Sequence, residues 1–213
     1  MPEPQAIAFD FDDTLLDWPT TLRRTLGKMA PPEVADRYLD LAPTTWRSEG
    51  DVVIHRNTWK LGEEPEHHWS LLGRPDLAVP FRAALELAPM PGALEVVRHL
   101  RRQVPVAICT NNMFIERELS ALGWVDEFDH VVVALDPPKP HPDAFATLCT
   151  VVNIEPEHVL FVGDSVHSDV RGAHAAGLQA VWLDRYGDAW SPPPGVHRIS
   201  ELHQVAELAG WAP

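Results

Sequence analysis

A chain of 213 residues is long enough for one sizeable core, or for a core carrying a smaller inserted unit. Apolar residues at 45% and charged residues at 23% are ordinary globular usage, which excludes a disordered chain. The 31 acidic residues against 17 Lys and Arg leave a formal charge of −14, which repels nucleic-acid phosphates and anionic membranes alike, so neither is an expected partner.

Taken in chain order, the first predicted element is a short buried strand from Ala6 to Phe11, ending in the acidic run Asp10-Phe-Asp12-Asp13-Thr14. From Leu16 to Pro91 the chain is rich in helix formers and offers no comparable strand. The pattern predicts helices over Thr20 to Met29, Pro32 to Arg47, Asn57 to Leu72 and Asp76 to Leu87, with Pro31 and Pro32 suited to a start and Gly73 and Pro75 to a stop. This segment, 17–90, reads as an inserted helical bundle. It holds Trp18, Trp46, Trp59 and Trp69, aromatic residues able to line a site entrance.

Beyond it strands and helices alternate. A helix over Gly92 to Arg102 leads to a strand, Val104 to Cys109, that delivers Thr110-Asn111-Asn112. A helix over Phe114 to Leu122 leads to a strand at His130 to Ala134, then to the proline-rich loop holding Lys139 and His141. A helix over Pro142 to Val152 precedes the strand Val159 to Val162, which delivers Gly163-Asp164-Ser165. A helix over His167 to Ala176, carrying Asp169, leads to a strand at Gln179 to Leu183. The tail adds a strand at Val196 to Ile199 and a helix over Glu201 to Leu208 capped by Ser200. Short apolar strands alternating with helices predict an α/β fold, a doubly wound parallel sheet built from 1–16 and 91–213.

Open sheets of this kind place their ligands at the carboxyl ends of the strands. The acidic run, Thr110-Asn111 and Gly163-Asp164 all follow strand-like runs and could converge there. Asp10 and Asp12, two residues apart, would face opposite ways on a regular strand, but a break into a turn at Asp12 can aim both into one pocket. The same acids could simply cap a turn, and Thr110-Asn111-Asn112 alone could be an ordinary strand-to-helix turn with a capping side chain. Lys139 stands in a loop stiffened by four prolines, and on its own could be a solvated surface lysine. Cys109 and Cys149 suggest no disulfide framework. The run Met1-Pro-Glu-Pro-Gln5 lacks the features of a signal peptide and no stretch reaches the ~18 apolar residues of a membrane span, so cytoplasmic residence is expected. The eleven histidines, His67, His68, His167 and His174 among them, form no recognisable zinc spacing.

In kind and order these four segments resemble the haloacid dehalogenase superfamily of hydrolases. The acidic pair Asp10 and Asp12 is similar to its phosphatase branch, of the phosphoglycolate phosphatase-like kind with a small helical cap inserted after the first strand. The resemblance implies a Rossmann-like core and a cap that closes over the site and sets specificity; Arg47, His55, Arg56, Trp59 and Lys60 are its possible substrate contacts. It further implies Asp10 as nucleophile, Asp12 as general acid and base, and an aspartyl-phosphate intermediate. Thr110, the amide of Asn111 and Lys139 would bind the phosphoryl oxygens. Mg²⁺ would be held by Asp10, the main-chain carbonyl of Asp12, and Asp164, with Asp169 behind them against Lys139 or a metal-bound water. Asp13 stands where many relatives have Gly, and Asp tolerates the same left-handed turn.

Dehalogenases of this superfamily expel halide, which needs no proton, and typically lack an acid at the position of Asp12. An alkoxide leaving group needs one. The resemblance therefore implies a phosphomonoesterase acting on a small phosphorylated metabolite, as monomer or homodimer. Phosphoglycolate, sugar phosphates and nucleotide monophosphates stay open as substrates. A sugar phosphomutase, a dehalogenase-type hydrolase and a phospho-acceptor or binding protein without turnover are the alternatives.

Overall fold

The computed structural model describes residues 2–41, 47–49, 52–54 and 66–211. In chain order the elements are β1 (Ala6–Phe9), α1 (Trp18–Met29), α2 (Pro32–Leu41), β2 (Arg47–Glu49), β3 (Val52–Ile54), α3 (Glu66–Leu71), α4 (Ala78–Ala83), α5 (Ala93–Arg101), β4 (Val106–Thr110), α6 (Ile115–Leu122), β5 (His130–Val133), α7 (Pro142–Val152), β6 (Val159–Gly163), α8 (Gly172–Ala175), β7 (Gln179–Leu183), β8 (His197–Ile199) and α9 (Gln204–Leu208). The chain divides into two compact units, 1–15 with 89–213 and 16–88.

The larger unit is built on one six-stranded sheet in the order β5-β4-β1-β6-β7-β8, with every neighbouring pair parallel. Strands β1, β4, β6 and β7 are buried along their whole length, which is why they read as continuous apolar runs rather than alternating ones. From β1 the chain proceeds outward through β4 to β5, then returns to the other side of β1 to lay down β6, β7 and β8. That reversal opens a crevice at the carboxyl end of β1, between β4 and β6. Phe9 lies level with Ile108 and with Val162, so Asp10, Thr110 and Asp164 leave the sheet at nearly the same height.

Local chemistry sets the ends of the helices that feed this crevice. α7 opens with Pro142 in its first turn while the His141 side chain accepts from the Asp143 amide at 3.2 Å, so His141 is a cap. It closes on Asn153, at φ 56°. The helix expected over His167 to Ala176 is instead a π-helical turn, Val166–Arg171, followed by the single turn of α8. The expected helix over Glu201 to Leu208 begins only at Gln204, whose side-chain oxygen accepts from the amides of Ser200 and Glu201.

The smaller unit packs Leu22 and Leu26 of α1, Tyr38 of α2, Trp69 of α3 and Ala78 and Phe81 of α4 into a core of its own. Its three aromatic rings lie 4.7–5.6 Å apart between centroids. Asp17 caps α1 by accepting from the Thr20 amide at 3.1 Å. Thr25 and Thr21 then accept from the amides of Glu86 and Ala88 at 3.0 and 2.9 Å, which ties the returning strand of chain back to α1. Trp69 is therefore a core residue, not an entrance residue, and Trp18 packs half-buried against the same core. Trp46, His55, Arg56, Trp59 and Lys60 lie outside the described residues.

This unit is not purely helical. The expected helix from Pro32 stops at Leu41, two residues before Pro43, and Arg47–Glu49 pairs with Val52–Ile54 as an antiparallel hairpin in which Glu49 faces Val52. The β-branched run Val52-Val53-Ile54 and the Gly50-Asp51 pair before it are hairpin signals that outweigh helical spacing.

Candidate active site

At the carboxyl end of β1 the main chain turns sharply. The Asp10 amide donates to the Val162 carbonyl at 2.8 Å, continuing the β1 to β6 pairing by one residue, and Leu15 closes a helical turn back to Phe11 at 2.9 Å. Asp13 stands at φ 59°, the left-handed conformation expected of it, and Arg185 lies 3.5 Å from its carboxylate. Thr14 donates its hydroxyl to Asp164 at 3.4 Å, a bond between the β1 turn and the β6 turn.

Lys139 is the centre of the arrangement. Only 4% exposed, its Nζ lies 2.7 Å from Asp10 Oδ1 and 2.6 Å from Asp169 Oδ1, above the Phe161 ring. Burial alone would depress the ammonium, but the two carboxylates outweigh it and hold the pKa above its ordinary value. Asn111 holds the Lys139 backbone in a reciprocal pair: Nδ2 donates to the Lys139 carbonyl at 3.0 Å and Oδ1 accepts from its amide at 2.9 Å. The Asn111 side chain thus positions Lys139, while the Thr110 hydroxyl accepts from the Asn112 amide at 3.1 Å and keeps its own proton to donate.

The wide π turn after β6 brings Asp169 inward. Its Oδ2 accepts from the Ser165 amide at 3.0 Å, so with Lys139 on Oδ1 both oxygens are engaged. Gly163 is required beneath it, because a Cβ there would stand 2.4 Å from the Asp169 Cβ. The Asp164 carbonyl accepts from the Trp182 indole at 3.0 Å, which fixes the strand-end loop that presents the Asp164 carboxylate.

One carboxylate oxygen from each of Asp10, Asp164 and Asp169 falls within 4.8 Å of the others. The main-chain carbonyl of Asp12, the third ligand expected, is not among these side-chain oxygens. Asp169, held by Lys139 and Ser165, suits a supporting position; Asp10 and Asp164 offer the oxygens. Burial raises the Asp10 carboxyl to about 6, against the pull of Lys139 and with a further push from Asp169. Burial, then Asp13, Asp169 and Asp10, raise Asp164 well above the carboxylate range. Hard oxygen donors, buried and in excess over the Lys139 charge, are a donor set that fits a divalent cation such as Mg²⁺.

Asp12 is half-buried beside this cluster. Burial, then Glu118, Asp10 and Asp13, push its carboxyl well above the carboxylate range, and the Asn112 side chain bonds to it and partly offsets them. Glu118, only 5% exposed on α6, accepts from Asn112 at 2.8 Å. Asn112 belongs to the segment Thr110-Asn111-Asn112 singled out in the sequence, where it had no role of its own, and nothing in the sequence separates Glu118 from the other acids of an amphipathic helix.

Comparison with known proteins follows the same residues. A family model described as haloacid dehalogenase-like hydrolase matches residues 4–177. A phosphoglycolate phosphatase from Cereibacter sphaeroides is 29% identical over 194 residues, covering 86% of this chain and 87% of its own. Among solved structures, a magnesium-bound HAD-hydrolase from Bacillus subtilis superposes with a TM-score of 0.75 at 19% identity, covering 97% of this chain and 99% of its own. A 2-haloacid dehalogenase from Pseudomonas syringae superposes at 0.61 with 22% identity, covering 98% and 100%. The two structures share the fold.

Proposed function

The chain belongs to the haloacid dehalogenase-like hydrolases, and from that premise we propose that it hydrolyses phosphate monoesters of small metabolites through a phosphoryl group carried on Asp10. The observation that carries this reading is the contrast between two neighbouring acids. Asp10 lies against the Lys139 ammonium with a pKa of about 6, and so is largely ionised near neutrality. Asp12, crowded by Glu118, Asp10 and Asp13, has its carboxyl pushed well above the ordinary carboxylate range. One carboxyl bonded to an ammonium and a neighbour crowded by acids suit a nucleophile and an acid.

In the first half-reaction an Asp10 oxygen bonds to phosphorus as the bond from phosphorus to the ester oxygen breaks. The Asp12 carboxyl gives its proton to that oxygen, which leaves as an alcohol. In the second, the Asp12 carboxylate takes a proton from water as the water oxygen attacks phosphorus, Asp10 departs as a carboxylate, and inorganic phosphate is released. Lys139 balances charge beside Asp10, and the Thr110 hydroxyl and Asn111 amide are assigned to the phosphoryl oxygens. Mg²⁺ held by Asp10, Asp164 and the Asp12 carbonyl would, when bound, neutralise phosphoryl charge that the acidic cluster would otherwise repel.

The phosphatase relative supports a small phosphorylated acid as one substrate class, and selection among esters is assigned to the smaller unit, 16–88, as the resemblance implies for an inserted cap. The test is phosphate release from phosphoglycolate, sugar phosphates, nucleotide monophosphates and an aryl phosphate, each with Mg²⁺ and with chelator. Release that requires Mg²⁺ and is absent from Asp10→Asn is expected. Halide release from a 2-haloacid with no phosphate release from any ester would overturn the proposal in favour of dehalogenation.

A further inference from the structure

Most of the site is accounted for by Asp10, Asp12, Lys139, Asp164 and their supports, but one buried acid has been given no task. Asp13 lies between Asp12 and Thr14, in the tightest part of the β1 turn, at φ 59°. Glycine takes that conformation without strain; aspartate takes it at some cost and brings a negative charge to a pocket already crowded with carboxylates. Asp13 is among the charges that act on Asp12 and on Asp164. An acid in this position needs a cation, and the structure supplies one from the segment after β7.

Arg185 follows β7 by two residues, and its guanidinium stands 3.5 Å from Asp13 Oδ1 with both side chains largely buried. The backbone that carries it is built to hold still. Asp184, 6% exposed, accepts from the amides of Tyr186 and Asp188 and from the Arg198 guanidinium. Its own amide donates to the Ile199 carbonyl at 2.8 Å, extending the pairing of β7 with β8. The Arg185 guanidinium carbon also lies 5.3 Å from the centre of the Tyr186 ring. The same edge of the sheet also sends the Trp182 indole to the Asp164 carbonyl.

We propose that Arg185 is a positioning residue, which through its ion pair with Asp13 locks the turn that aims Asp10 and Asp12 at the reacting phosphorus. The pair replaces a backbone that glycine would leave free with one clamped by charge to β7. This deepens the phosphatase reading and rests on it, but the clamp itself can be measured without turnover. A clamp acts on alignment, and misalignment of reacting groups lowers kcat more than it raises KM.

The experiment is a double-mutant cycle in the full-length protein with Arg185→Met and Asp13→Asn, the second chosen because Asn keeps the left-handed turn and loses only the charge. With an aryl phosphate and Mg²⁺, Arg185→Met is expected to lower kcat about tenfold with KM changed less than about twofold, and to lower it less than about twofold when Asp13 is Asn. Arg185→Lys should recover part of the loss. An equal loss of kcat in both backgrounds, or a raised KM at constant kcat, would overturn the proposal, the latter by making Arg185 a substrate contact. The same four proteins are read by the rise in melting temperature on adding Mg²⁺ alone. Coupling between the two sites in that rise supports the clamp even if wild-type protein releases no phosphate; strictly additive rises with no coupling in kcat would contradict it.

Discussion

Asp10 and Asp12 are the same amino acid two positions apart, and their surroundings give them different work. Lys139 is what separates them, and its replacement has two consequences. Lys139→Met leaves Asp10 and Asp169 buried without their cation, a change that typically costs on the order of 3–5 kcal/mol. Without the ammonium Asp10 takes up a proton more readily, so the deficit measured by denaturant unfolding is expected to be largest near neutral pH and to shrink in mild acid. Activity should be lost at every pH. In chelated wild-type protein the Asp10 carboxyl titrates near 6 against an ordinary 3.8, so the folded state holds this proton more tightly than the unfolded chain. The stability tied to that proton is fully present at low pH and is lost as the pH rises through about 6. Asp10→Asn, which mimics the neutral acid, is therefore expected to gain on wild type from about pH 5 to pH 7.5 by on the order of 1 kcal/mol in chelator, with Mg²⁺ abolishing the difference. A pH-independent difference in chelator would contradict it. The polar residues at strand ends were legible because Asp10, Thr110 and Asp164 each terminate an apolar run. Asn112 and Glu118 were not, since what distinguishes them is a hydrogen bond and burial that only the assembled fold creates.

At the scale of the element, the turn after β6 shows how backbone geometry delivers a side chain. The spacing predicts a regular helix over His167 to Ala176, yet the Val170 amide reaches back to the Ser165 carbonyl at 3.1 Å, five residues away, and the widened turn swings Asp169 under Lys139. Sequence periodicity cannot separate a π turn from an α-helix of this length, because the two differ by a single hydrogen-bond step. Gly163→Ala would drive a methyl group into Asp169, and is expected to lower both melting temperature and kcat, whereas Gly27→Ala, exposed on α1 where a Cβ meets nothing within 4 Å, should leave kcat unchanged and raise the melting temperature slightly. The hairpin of the smaller unit was missed for a different reason: three-residue strands are too short for alternation to show against the helical spacing around them.

For the whole molecule, the parallel sheet was legible because its central strands are buried on both faces and punctuated by helices, and the site follows from where the strand order reverses. The two thiols illustrate the same burial. Cys109, between Ile108 and Thr110 on β4, has its pKa pushed up to about 12 by burial, and burial also raises Cys149. Both should stay unreactive toward a thiol reagent at mildly alkaline pH until the protein is unfolded, and rapid modification of native protein would contradict the packing described. The proposed reaction turns on Asp10 carrying the phosphoryl group. Acid quenching of the enzyme during turnover of a substrate labelled in its phosphoryl group, followed by location of the label, tests it directly. The label is expected on the peptide containing Asp10 in wild-type protein and on no peptide of Asp10→Asn; phosphate released with no labelled enzyme at any time, or with the label on another residue, would contradict it.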